Sequence, residues 1–128
     1  MERAHTEPFC PYFHHAVELI GRRWNGAILR ALHAGVCHFN ALANTIPGLS
    51  DRMLSERLKE LEAEGLVARH VIPETPVRIE YVLTEKGRSL SDVFVAISAW
   101  AADWHDDPPG GVGATPHAAD TGAAAIRR

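Results

Sequence analysis

SDRMLSERLKELEAEG, residues 50–65, carries the signals of one helix from its cap to its end. It opens on Ser50, a residue type that caps helices, and on an acid that suits the positive end of a helix dipole. It closes on Gly65, the residue type that most easily takes the left-handed conformation after a helix. Between them Leu54, Leu58 and Leu61 stand at i, i+4 and i+7 and make one apolar stripe. The opposite face carries Arg52, Ser55, Glu56 and Lys59. The spacing predicts a helix over residues 50–64 with one buried side and one polar side.

Working outward, Phe39, Leu42, Ala43 and Ile46 share one face and predict a short helix over residues 39–46. Pro47-Gly48 then forces a turn, because the residue before proline avoids the α region and glycine accepts positive φ. Downstream, a strand is expected from Leu66-Val67 to Ile72, and Pro73-Glu74-Thr75-Pro76 marks a hairpin tip. Residues 77–83 alternate, with Val77, Ile79, Tyr81 and Leu83 on one face. Helix, turn, helix, hairpin is the plan of a winged helix-turn-helix, mainly α with a small β-hairpin wing, whose second helix enters a DNA groove.

The flanks complete the plan. Residues 1–9 read as a flexible arm. Cys10-Pro11 opens a first helix to about Ile20, with Phe13, Ala16, Val17 and Ile20 on one face, and Gly21 ends it. A second helix takes Trp24, Ala27, Ile28, Ala31 and Leu32 as its apolar set and stops at Gly35. Thr84 is expected to cap one long last helix, with Leu90, Val93, Phe94, Ile97, Ala101 and Trp104 in a stripe and Trp100 beside it. That helix carries more large apolar groups than one small core needs. A homodimer through the first and last helices is expected, with Phe13, Val17, Ile97, Trp100 and Trp104 at its interface. Residues 106–128, rich in Pro, Gly and Ala, read as a disordered tail, leaving 10–105 as the domain.

Composition is that of a globular chain, 46% apolar and 23% charged among 128 residues. No apolar run approaches the ~20 residues that span a bilayer. With two cysteines and no secretory signal visible, a cytoplasmic protein with reduced thiols and no membrane partner is expected. The net charge of −3 argues against tight non-specific DNA binding, though the local field can still be positive. No P-loop, G-x-S-x-G or H-E-x-x-H motif is present, so the chain does not read as an enzyme.

Taken together these segments resemble the HxlR-type branch of the MarR-like winged helix-turn-helix regulators. The resemblance covers about residues 10–104. It rests on Cys10-Pro11, on GRRW at 21–24 followed by Ile28-Leu29, on HFNAL at 38–42, on IPGLSDRMLSERLKELE at 46–62, on EGLV at 64–67, on PETPVRIEYVLTEKG at 73–87, and on Trp100. It implies a homodimeric transcription regulator, a repressor in our reading, on a pseudo-palindromic double-stranded DNA operator. It also implies, for some members, a response to electrophiles or oxidants through the N-terminal cysteine. Two stretches depart from the family pattern: Arg23 replaces a lysine before Trp24, with Asn25-Gly26 after it, and Gly35-Val36-Cys37-His38 replaces a turn bearing Pro and Arg.

The candidate DNA contacts are Ser50, Asp51, Arg52, Ser55 and Lys59 on the proposed recognition helix and Arg78 in the wing. Arg52 is matched to the O6 and N7 of guanine, and Lys59, nearly two turns on, to phosphate. Arg57 falls beside the leucine stripe, where a structural salt bridge is expected. Cys10 is the first redox or effector candidate, since the helix dipole stabilises a thiolate at a helix N-terminus; Cys37, in a turn, is the second. The eight histidines include Cys10/His14 and His33/Cys37/His38 sets with zinc- or copper-ligating chemistry. Their spacing matches no zinc signature, and neither a metal nor another cofactor is assigned. The competing readings are a winged-helix protein-interaction module that never touches DNA and a histidine-rich metal sensor.

Overall fold

The computed structural model describes residues 7–105; most of the N-terminal arm and the whole tail named above lie outside the described residues. The chain divides into two compact units, with the boundary between Ser89 and Leu90. In the first, α1 (Pro11–Gly21), α2 (Asn25–His33), α3 (Phe39–Thr45) and α4 (Asp51–Ala63) precede strands β1 (Val67–Ile72) and β2 (Arg78–Leu83) and the short α5 (Glu85–Arg88). The second unit holds α6 (Ser91–Trp104).

The recognition helix forms as its sequence dictates. The Ser50 hydroxyl accepts the Met53 N–H at 3.1 Å, satisfying one of the orphan donors of the first turn. Leu54, Leu58 and Leu61 are buried, joined by Ile28 and Leu29 of α2, Leu42 of α3, Leu66 just before the sheet, and Val67 and Leu83 within it. Before α4 the chain turns at Gly48, whose φ is +83°, and Ile46 and Leu49 are buried on either side of the turn. A Cβ at position 48 would lie 3.5 Å from the Trp24 ring, so that indole packs against the turn itself.

The hairpin is antiparallel, from Val67 opposite Leu83 to Ile72 opposite Arg78. Its pairing starts at Arg78, so Val77, expected as the first strand residue, is exposed at the tip instead. A further backbone bond, Tyr81 N–H to the Cys37 carbonyl at 2.8 Å, ties the α2–α3 connection to β2.

Two sequence expectations need correction. Trp24 does not belong to the body of α2; it is the N-cap, at φ +79° in the left-handed region that bulky residues rarely take. What holds it there is tertiary: its ring meets Gly48, the Arg23 guanidinium lies 4.8 Å from the ring centroid, and the next residue, buried Asn25, donates from Nδ2 to the Leu19 carbonyl at 2.9 Å. That last bond satisfies a carbonyl left orphaned near the end of α1. The long last helix is likewise two helices. Thr84 caps only α5, accepting the Gly87 N–H at 3.1 Å. The Ser89 hydroxyl donates to the Lys86 carbonyl at 2.6 Å, competing for the acceptor that a continuing helix would offer Leu90. Gly87 is packed so closely that an added Cβ would collide with the Leu66 carbonyl and crowd the Leu83 side chain.

This close approach gives the first expectation. Gly87→Ala should lower stability by about 1–3 kcal/mol, because a carbonyl of the backbone must move to admit the methyl group. Gly21→Ala, where nothing lies within 4 Å, should cause no such loss. Urea unfolding midpoints of the two variants check this.

Candidate nucleic-acid interface

The outer face of α4 is polar and open. Asp51, Arg52, Glu56 and Lys59 are exposed and Ser55 is partly so. The Arg52 side chain is 88% exposed, and its Nε lies 3.3 Å from Glu56 Oε2, an i,i+4 pair. A pair so exposed is worth little and yields readily to a stronger acceptor. Lys59 is exposed nearly two turns further on. Ser50 already spends its hydroxyl on the cap, so what it offers a ligand is the start of a helix.

The acids of α4 are handled differently. Glu60 takes Arg22 Nε at 3.0 Å on one carboxylate oxygen and an Arg57 nitrogen at 3.1 Å on the other. Glu64 lies 3.3 Å from His15 Nε2, and its carbonyl accepts Lys86 Nζ at 2.7 Å. Glu60, in the C-terminal half of the helix, therefore has its charge matched by two arginines, while Glu62 and, in the N-terminal half, Arg52 are exposed. Arg57, by contrast, is buried, with 8% exposure; besides Glu60 it donates from Nε to the Arg23 carbonyl at 3.1 Å. This is the salt bridge anticipated for it.

In the wing, Arg78 sits beside the tip, half exposed, 3.2 Å from Glu74 and 3.9 Å from Glu80. Arg69 of β1 is a second exposed wing cation, opposite Tyr81 in register; strand alternation could have found it. The structure thus gathers Ser50, Asp51, Arg52, Ser55 and Lys59 on one helix and places Arg78 apart from them, on the hairpin.

The two cysteines are free and partly buried. Cys10 caps α1, its Sγ accepting the Phe13 N–H at 3.4 Å. Cys37 Sγ lies 3.6 Å from His38 Nδ1, and His38 Nε2 lies 3.5 Å from Glu80 Oε2. The sequence reading paired neither of these groups with Glu80. Cys37 also lines a cavity of about 370 Å³, with Leu32, His33, Tyr81 and Arg88 among its walls. The expected interface residues Phe13, Val17, Ile97, Trp100 and Trp104 are all exposed on this chain, between 48% and 69%. Among the described residues no helix is long and apolar enough to cross a membrane.

A capped helix with an open polar face, set between a tight turn and a two-stranded wing, defines the winged helix-turn-helix class of transcription regulators. Within that class the profile of the HxlR-like helix-turn-helix family matches residues 19–108, and the chain belongs to that family. It is 52% identical over 97 residues to the HTH-type transcriptional regulator YvaP of Bacillus subtilis, covering 76% of this chain and 90% of that one. It is 50% identical over 92 residues to the B. subtilis regulator YodB, covering 72% and 82%. The reduced form of YodB superposes with a TM-score of 0.69 at 48% identity, over 75% of this chain and 94% of that one. The redox regulator HypR in its oxidised form superposes with a TM-score of 0.69 at 34% identity, over 76% and 99%.

The contrast between the two arginines is measurable in the free protein. Arg57→Ala removes one of the two partners of Glu60 and the donor to the Arg23 carbonyl, and should cost about 1–3 kcal/mol of stability. Arg52→Ala removes only an exposed pair and should change stability by no more than about 0.5 kcal/mol. Equal losses in chemical denaturation would contradict the inward and outward assignment.

Proposed function

We propose that the protein is a cytoplasmic, non-enzymatic repressor that acts as a homodimer on a pseudo-palindromic DNA operator and responds to oxidants or electrophiles. The observation that carries this is the two-sidedness of α4: its leucines are buried and Glu60 is paired with Arg22 and Arg57, while Arg52 and Lys59 face out. Such a helix can approach a polyanion despite the chain's net charge of −3. Arg52 reads a guanine edge, Lys59 and Arg78 hold phosphates, and the N-terminus of α4, with Ser50, Asp51 and Ser55, sets the helix in the major groove.

The dimer reading rests on apolar surface. Phe13 and Val17 on α1, and Ile97, Trp100 and Trp104 on α6, are exposed to a degree that a lone chain seldom tolerates. A second copy of the chain is the proposed cover for both faces. Two recognition helices would then meet half-sites about 10 bp apart, or a multiple of that. With operator DNA taken from the region flanking the gene, Arg52→Ala should lose about 1–3 kcal/mol of affinity and relax preference at one base pair. Lys59→Ala should weaken all sequences alike and flatten the salt dependence. The active species should run as a dimer in light scattering. A monomer that binds with full affinity, or a Lys59→Ala protein with altered base preference, would refute this arrangement.

Cys10 is the proposed sensing thiol. Its sulfur accepts the amide of Phe13, a residue of the proposed dimer face, so oxidising or alkylating it removes an acceptor at that face. Modification can regulate only if it favours one dimer arrangement over another. Diamide treatment should lower operator affinity in the wild type and in Cys37→Ser but not in Cys10→Ser. Loss that persists in Cys10→Ser would remove this residue from the mechanism.

A further inference from the structure

Three side chains from distant parts of the sequence meet where the α2–α3 connection touches the wing. The thiol of Cys37, the imidazole of His38 and the carboxylate of Glu80 each offer one donor atom, and the three atoms lie within 4.8 Å of one another. The Tyr81 N–H bond to the Cys37 carbonyl holds the two backbones in this relation, one residue along from Glu80. We propose that these three residues form a binding site for a borderline transition-metal ion, with Zn²⁺ as its natural occupant.

The geometry is close to what such an ion needs. Bond lengths of about 2.3 Å to sulfur and about 2.0–2.2 Å to nitrogen and oxygen place tetrahedral ligand atoms roughly 3.3–3.6 Å apart. Cys37 Sγ is 3.6 Å from His38 Nδ1, and His38 Nε2 is 3.5 Å from Glu80 Oε2. Those two contacts use different ring nitrogens and only one binds the ion; with one donor atom from each residue the three lie within 4.8 Å of one another, so closing on the ion takes movement of the side chains. Nδ1 of the imidazole meets the Cys37 thiol, whereas Nε2 is shut off from solvent with no hydrogen bond and has only its 3.5 Å approach to Glu80. The remainder of the ring is open, with the side chain 45% exposed, so an ion has a route in.

The donor set selects the metal class. A thiolate and an imidazole disfavour Mg²⁺ and Ca²⁺, which take oxygen, and suit Zn²⁺ and its neighbours. Thiolate and carboxylate together neutralise a divalent ion, and the thiol proton passes to solvent as the S–Zn bond forms, with no change of oxidation state. Three protein ligands leave a fourth position for water, and the cavity of about 370 Å³ beside Cys37 gives it room. Arg78, 3.9 Å from Glu80, is the one cation in ion-pair range of that carboxylate besides His38 among the described residues; it already leans on Glu74 at 3.2 Å and can yield. This site does not depend on the DNA reading.

The test uses the full chain without a polyhistidine tag, reduced and freed of metal with a chelator. Titration with Zn²⁺ should show one ion bound per chain. Titration with Co²⁺ should raise a sulfur-to-cobalt charge-transfer band together with the strong visible bands of a four-coordinate ion. Cys37→Ser should abolish the charge-transfer band. Glu80→Gln, with folding checked by circular dichroism, should weaken Zn²⁺ binding by more than the roughly hundredfold upper range for loss of an outer-shell partner. Cys10→Ser should leave both unchanged. Bound Zn²⁺ should also slow alkylation of Cys37 while Cys10 reacts as before. A cobalt spectrum without the sulfur band, a band lost in Cys10→Ser and kept in Cys37→Ser, or Zn²⁺ affinity indifferent to Glu80→Gln would overturn the proposal.

Discussion

The guanidinium of Arg57 settles where the recognition helix can stand. It is buried on the inner side of α4, donates to the Arg23 carbonyl between α1 and α2, and holds Glu60, which also receives Arg22. A buried cation without such partners would be costly. With it in place, the leucine stripe is buried, and the opposite face of the helix is left to solvent. Trp24 braces the same junction from the other side, its ring against the Gly48 turn that launches α4. The left-handed backbone at Trp24 is strain of the kind that persists only when surrounding contacts over-determine it.

Charge follows from this placement. A net −3 spread evenly would repel a polyanion. It is not spread evenly: near the end of α4 Glu60 is bound to Arg22 and Arg57, whereas Arg52 meets one exposed glutamate. Counting residues along the chain gives the sum of charges, while the pairing between helices decides where the field points.

Much of the first unit was legible because its elements obey simple periods. The leucines of α4, the Pro47-Gly48 turn and the alternating β2 are local patterns with local causes, and the cap at Ser50 needs only its own next three residues. The same helical period separated inward Arg57 from outward Arg52 and Lys59. What escaped the sequence is non-local. The helix after Thr84 breaks because Gly87 lies against the Leu66 carbonyl and Ser89 turns back on Lys86, neither of which leaves a periodic trace. Trp24 looked like a first helical residue because its packing partner, Gly48, is far along the chain. Glu80 was invisible as a neighbour of Cys37 and His38, since it is tertiary pairing, including the Tyr81–Cys37 backbone bond, that brings that part of β2 to the α2–α3 connection.

That same backbone bond has a mechanical side. The connection it anchors leads directly into α3, which carries the turn into α4, so the hairpin and the helix-turn-helix share a fastening away from the hairpin's own base. Two probes fastened to one frame work as a calliper. If the helix and the wing engage the same duplex, the interval between them is preset, and DNA whose grooves do not match must deform to be gripped. Sequences would then be sorted by how easily they bend or narrow, at positions that no side chain touches.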